Sequence, residues 1–278
     1  MRYSFLLICF WLLIIPAVPG QAQIGEFVGD EKNFYAATKQ VNQFLRRFNG
    51  EEDTRGKRYH PEDAHYRNVE IRKKYINILF DNKQKAISAE TKQSFMSDVT
   101  DSIDPLFLDF HGGSWFAQVS TKFRYKDRDE ILQLFLRLQE EKVGSKWVIY
   151  KAYFEPFQQY FKVDTADQDR FIHPMSHELD FMNLRKIFED PDIVAAYSSE
   201  DFKPDYLSLV LYEIKKGTLK FVGVDKVRFH FFQLENWYFE LTEFNRSGPN
   251  TGWLISNLLP VNSEQKEQLT RFIYYGKD

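Results

Sequence analysis

Six histidines are the side chains of this sequence best suited to acid–base or metal chemistry near neutral pH. His173 and His177 stand four apart with Glu178 and Asp180 beside them. One helical turn would set both imidazoles on one face, as a two-histidine metal site requires. Pro174 fits the first turn of a helix and leaves His173 outside its regular part, so a helix start preceded by a linker histidine is the better reading. His111 follows Asp104 and Asp109 and precedes Gly112-Gly113. Carboxylates near an imidazole could move protons, and two glycines could let a backbone approach a ligand. The same residues also make an ordinary turn between strands, and that reading is favoured. His60 and His65 lie in a charged loop and read as solvated. His230 alternates with Arg228 and Phe232, so the three share one strand face; they could line a cavity, but an exposed sheet face is the simpler explanation.

Beyond residues 1–22, no G-x-S-x-G, H-E-x-x-H, G-x-x-x-x-G-K or EF-hand spacing occurs, which removes the common hydrolase, zincin, nucleotide and calcium readings. No catalytic or metal-ligating residue is therefore assigned, no cofactor is expected, and the binding residues stay unidentified. The unusual feature is aromatic content: 27 Phe, 15 Tyr and 5 Trp are more flat apolar faces than acid–base chemistry would need. Six of them crowd the run from Tyr150 to Phe161. Phe157, Tyr160 and Phe161, beyond Pro156, read as cover for an interface between domains.

The elements that must position these groups follow from periodicity. Phe34, Ala37, Val41, Phe44, Leu45 and Phe48 recur at helical spacing over 30–48, with Gly50 as a stop. A polar stretch, 51–67, leads to a second helix at about 68–80. A third begins after Ser88, with Glu90 in its first turn, and should carry Phe95, Met96, Val99 and Ile103 inward until Pro105. The period then shortens to two: 115–124, 132–138 and 147–154 read as three strands of an antiparallel meander, its apolar face covered by the three helices. The second half repeats the order, with helices at 178–189 and 205–216 and a stop at Gly217. Strands at 218–224, 226–234, 237–244 and 252–259 follow, then a short helix from about Ser263 in which Leu269, Phe272 and Ile273 should dock.

Residues 1–22 read as a signal peptide, because Arg2 precedes eleven apolar residues, Phe5 to Ile15, then prolines and small residues ending at Ala22. That run falls short of the ~20 residues of a spanning helix. Cys9, the only cysteine, lies inside it, so the exported chain is expected to carry no disulfide, which suits a bacterial periplasm or outer surface of the Gram-negative type. Removing Arg2 takes the formal charge from -3 to -4 with both signs mixed along the chain, so neither nucleic acid nor an anionic membrane surface is suggested as partner, and no membrane span is expected in the mature chain.

Phe135-Leu-Arg-Leu-Gln-Glu before Trp147-Val-Ile and Pro156 corresponds to Phe239-Glu-Leu-Thr-Glu-Phe before Trp253-Leu-Ile and Pro260, which points to a tandem duplication. Polar, acidic 158–174 is the expected linker between a first domain, 23–157, and a second, 175–278. Helices followed by long strands of this type resemble the nuclear transport factor two-like (cystatin-like) fold. The resemblance implies an α+β protein of two tandem cone-like domains, each with helices packed on a curved antiparallel sheet around a cavity. Enzymes of that fold place an Asp, His or Tyr inside the cone, but no position here matches a catalytic motif. The expectation is an exported, non-catalytic protein of the cell envelope that binds an unknown small ligand or envelope protein. The alternatives are an isomerase- or dehydratase-like enzyme and a subunit of an envelope assembly such as a secretion apparatus.

Overall fold

Helix α1 (Val41–Asn49) buries Phe44, Leu45 and Phe48 and stops where Gly50 takes up φ +73°, which lets its amide reach back to the last helical carbonyls. Helix α2 (Val69–Ile78) is capped by Asn68 and α3 (Ala89–Val99) by Ser88, whose side chains accept from the amides of Ile71 and Thr91. The structure is a computed structural model that describes residues 40–83, 86–142, 144–161, 188–189, 191, 194–199, 201–202, 204–248 and 250–276. The signal segment, residues 30–39 of the first predicted helix, most of the 158–174 linker and nearly all of the 178–189 helix lie outside the described residues.

Helix α3 ends before Pro105 is reached, so Ile103 does not point inward. The carboxylate of Asp101 accepts from the amides of Ile103 and Asp104 at 2.7 and 2.9 Å, turning the chain and leaving Ile103 91% exposed.

Six strands follow in two meanders: β1 (Trp115–Tyr125), β2 (Arg128–Glu141) and β3 (Gly144–Phe154), then β4 (Leu219–Phe231), β5 (Trp237–Phe244) and β6 (Gly252–Pro260). Helix α4 (Tyr206–Lys216) lies between the meanders in sequence, capped by Asp205 and stopped by Gly217; α5 (Ser263–Tyr275) closes the chain with a reciprocal Asn262–Gln265 capping box. The two strands expected at 218–224 and 226–234 are one strand, β4. Its register against β1 slips twice, passing over Asp225 and Val222, so the break in alternation at those residues marks bulges rather than a turn.

The chain is α+β, and the described residues form a six-stranded antiparallel sheet in the order β3-β2-β1-β4-β5-β6. The expectation of a separate curved sheet in each half is corrected here: β1 and β4, the first strand of each meander, pair with each other along their length. Each meander carries a bulge at the matching place in its last hairpin. The pairing slips between Phe135 and Leu136 opposite β3, and between Glu240 and Leu241 opposite β6.

Helix placement differs too. Phe44 and Phe48 of α1 lie 6.3 and 6.2 Å from the ring of Phe239 on β5, and Phe95 of α3 lies 5.2 Å from Trp237. After α2, the amide of Ile255 on β6 donates to Leu79 at 2.8 Å and that of Asp81 to Ile255 at 3.0 Å. Helix α4, from the second half, buries Val210 among Phe123, Leu132, Ala152 and Phe154 of β1–β3. The helices of each half therefore cover chiefly the strands of the other. The physical cause is the β1–β4 pairing: both meanders share one apolar face, so a helix can bury its stripe across the seam.

Candidate functional site

The second face of the sheet carries the chemistry. Phe116 and Gln118 on β1, Gln133 and Phe135 on β2, and His230 on β4 share it by register, and Tyr238 of β5 joins them through its bond to His230. Strand alternation reads Phe116, Gln118 and His230 as the wet side. The structure overturns that for His230, which is 2% exposed, because α5 lays Tyr274 against Phe116 and Phe135 at 5.3 and 4.8 Å and aromatic rings close over the imidazole.

His230 is satisfied on both nitrogens. The hydroxyl of Tyr238 donates to Nδ1 at 2.8 Å, and Nε2–H donates to Oε1 of Gln118 at 2.9 Å. The amide nitrogen of Gln118 passes the chain on to Oε1 of Gln133 at 3.2 Å, which also accepts from the Ser120 hydroxyl at 2.8 Å. Each of these bonds joins a donor to an acceptor when the imidazole is neutral; protonating it would turn Nδ1 from acceptor into donor opposite the tyrosine. Burial, with a smaller contribution from Arg228, pushes the His230 pKa down to about 3. Burial and the nearby Glu240 push the Tyr238 hydroxyl upward. A histidine so placed holds a network together and keeps no free nitrogen for a substrate proton.

Beside the network, between α5 and the sheet, lies a cleft of about 480 Å³ floored by Phe116, Phe232 and Tyr274 and edged by Lys266, Glu267 and Arg271. Phe116 separates it from His230, the two rings lying 5.1 Å apart. Lys266 is held in place by donating to the carbonyls of Phe232 and Leu234 at 3.0 and 2.7 Å, and burial lowers its pKa. The Tyr274 hydroxyl meets that of Tyr150 at 2.5 Å, which fixes the aromatic wall. The cleft thus offers stacking surface with ionic groups at its rim.

The other sequence candidates scatter. His173 and His177 lie outside the described residues. His111 is exposed in the loop before β1, with Nδ1 3.2 Å from the Ser145 hydroxyl and 3.9 Å from Glu140, while Asp109 caps the same loop by accepting from the His111 amide. His60 and His65 occupy the loop before α2, where His65 packs edge-on against Tyr59. Among the described residues no group of three His, Cys, Asp or Glu could hold a metal ion. Phe157 is buried against Tyr125 and Phe154 within one cluster, and Tyr160 is half exposed with its hydroxyl 2.9 Å from that of Tyr125. On α5 Tyr274 docks and Leu269 and Ile273 are half-buried, whereas Phe272 is 55% exposed. Sequence reasoning missed Gln118, Gln133, Tyr238 and Tyr274. The available signal was that Tyr238 and Tyr274 are aromatic residues with a polar end, which need a partner when buried.

No family model, curated protein or solved structure matches this chain. No helix among the described residues is long and apolar enough to cross a membrane.

Proposed function

We propose that this chain is an exported, non-catalytic binding protein of the bacterial cell envelope, with the aromatic cleft under α5 as its site. One observation carries the reading: the buried histidine next to the cleft is neutral, bonded on both nitrogens and walled off by Phe116, whereas the cleft itself presents rings, the held ammonium of Lys266 and the exposed side chains of Glu267 and Arg271. That division suits recognition of a flat apolar group bearing a charge, from a small ligand or from the side chain of an envelope protein. The isomerase- or dehydratase-like alternative draws less support, since it needs a proton-handling group that faces the ligand. We also read the two meanders as a duplicated helix-and-sheet unit resembling the nuclear transport factor two-like fold; their matching bulges support it.

The test uses 2-naphthoate, an aromatic anion suited to the rings and to the cations of the rim, together with a photo-crosslinking residue in place of Arg271 in cells. Saturable naphthoate binding lost in Thr270→Trp, which fills the cleft, or a discrete protein adduct at 271 that Thr270→Trp removes, is the expected outcome. Neither ligand binding nor an adduct would defeat the reading.

A further inference from the structure

Tyr160 is a polar side chain that takes no part in the cleft. It is 48% exposed, near the end of a 3-10 helix, Glu155–Phe161, that follows β3. Its ring lies 6.0 Å from that of Phe157, which is itself buried against Phe154 and Tyr125, so an aromatic cluster fixes where the phenol stands.

Three groups able to donate converge on its oxygen. The hydroxyl of Tyr125 lies 2.9 Å away, the ammonium of Lys126 donates at 3.2 Å, and the side chain of Gln159 bonds it as well. Tyr125 and Lys126 belong to the β1–β2 hairpin, where Lys126 and Asp127 take φ of +48° and +63°, as a two-residue type I′ turn requires. So tight a turn holds the lysine beside both tyrosines, its Nζ 5.2 Å from the centre of the Tyr125 ring and 5.8 Å from that of Tyr160. Asp129, on the same hairpin, is bonded to Arg124 at 2.5 Å.

A neutral hydroxyl must use one of its positions as a donor, whereas an ionised oxygen only accepts, so these neighbours suit the phenolate. The bonds from Tyr125 and Lys126 lower the Tyr160 pKa, while burial and the bond to Tyr160 raise that of Tyr125. The charge thus falls on the half-exposed ring, and the buried Tyr125 stays its donor.

We propose that Tyr160 is a nucleophilic tyrosine, a modification site that takes acyl groups from small activated acyl donors. Its oxygen bonds to the acyl carbonyl carbon as the bond from that carbon to the leaving group breaks; the leaving group keeps the electron pair and gains the proton that Tyr160 gave up. The step is independent of the cleft and of the function proposed for it.

Limiting N-acetylimidazole on the purified protein at pH 7.5, with the acetylated residues mapped by mass spectrometry, tests this against plain exposure. Tyr212 on α4 is the internal standard, because at 60% it is the more exposed ring. Tyr160 is expected to react at least about threefold faster than Tyr212, the gain of a single hydrogen bond to the ionised oxygen, and to form an ester that hydroxylamine removes. Lys126→Met should slow it at least about threefold by withdrawing one such bond, and Tyr125→Phe, which keeps the buried ring, should do the same. An unchanged rate at Tyr212 and unchanged thermal melting mark an intact fold in both variants. Tyr212 reacting as fast as Tyr160 overturns the inference, as does a Tyr160 rate indifferent to both substitutions. So does a hydroxylamine-resistant acetyl group on Lys126 in place of the ester.

Discussion

The hydroxyl of Tyr238 on β5 donates to Nδ1 of His230 on β4 at 2.8 Å, which ties the state of the buried network to pH. The folded pKa of His230, about 3, lies below the ordinary imidazole value of 6.5. Between those values the unfolded chain binds a proton that the folded one refuses, so this group leaves stability intact above about pH 6.5 and erodes it as pH falls toward 3. The loss runs at roughly 1.4 kcal/mol per pH unit. His230→Gln keeps an acceptor and a donor but cannot be protonated. Urea unfolding at pH 7.5 and pH 5 should show the wild type losing about 2 kcal/mol more than the variant. Equal losses would mean that the imidazole is already charged in the fold.

Arg72 is buried, and among the described residues no carboxylate bonds its head. Its guanidinium donates to the carbonyls of Phe48 at 2.9 Å and Val99 at 2.7 Å, and to that of Leu106, joining the end of α1, the end of α3 and the loop after it. Burial lowers its pKa to about 10, so it stays charged at neutral pH. Arg72→Met strands these carbonyls and should cost upward of about 3 kcal/mol. Arg72→Lys should not restore stability, because an ammonium lacks the fork that spans separated acceptors. A lysine variant that unfolds at the wild-type denaturant midpoint would contradict this role.

Phe239 is fully buried against Phe44, Phe48 and Phe95, so α1 and α3 of the first half depend on a strand of the second. Phe239→Ala should destabilise by about 3–5 kcal/mol. A double-mutant cycle with Phe48→Ala should return a coupling of about 0.5–1.5 kcal/mol. A coupling of zero would show that the halves are not packed across one another in this way.

Asp81, following α2, receives Nη2 of Arg246 at 2.6 Å, and Asn250 donates to the Phe80 carbonyl at 2.8 Å, so the β5–β6 turn is fastened to the first half. The Asp81 side chain is almost fully buried. Asp81→Asn should cost about 3 kcal/mol by leaving the guanidinium unpaired. Because the pair is sheltered, raising salt should change that cost little in chemical denaturation. A cost that vanishes in salt would place the pair at the surface.

Local structure was legible wherever a short-range rule acts alone. Ser88 as the start of α3, Gly50 and Gly217 as stops, and the alternation of β1 and β2 each depend on neighbours a few residues away, and the structure shows each of them. Errors arose where a local cue was outweighed. Ile103 kept helical spacing, but the Asp101 carboxylate captured the amides beyond α3; the interruption at Asp225 looked like a turn because a bulge also breaks a period of two.

What residue order by itself determined is the set of parts: helix followed by meander in each half, with stops at Gly50 and Gly217, and the absence of a familiar reactive motif. Which meander lies beside which was decided only in three dimensions, because pairing between β1 and β4 joins residues as distant as Trp115 and Phe231 and no periodicity records a partner at that distance. The same pairing sends α1–α3 over β4–β6 and α4 over β1–β3. Burial of His230 is its counterpart on the other face: an imidazole that alternation places toward water becomes neutral and dry once α5 and its tyrosine pack across the sheet.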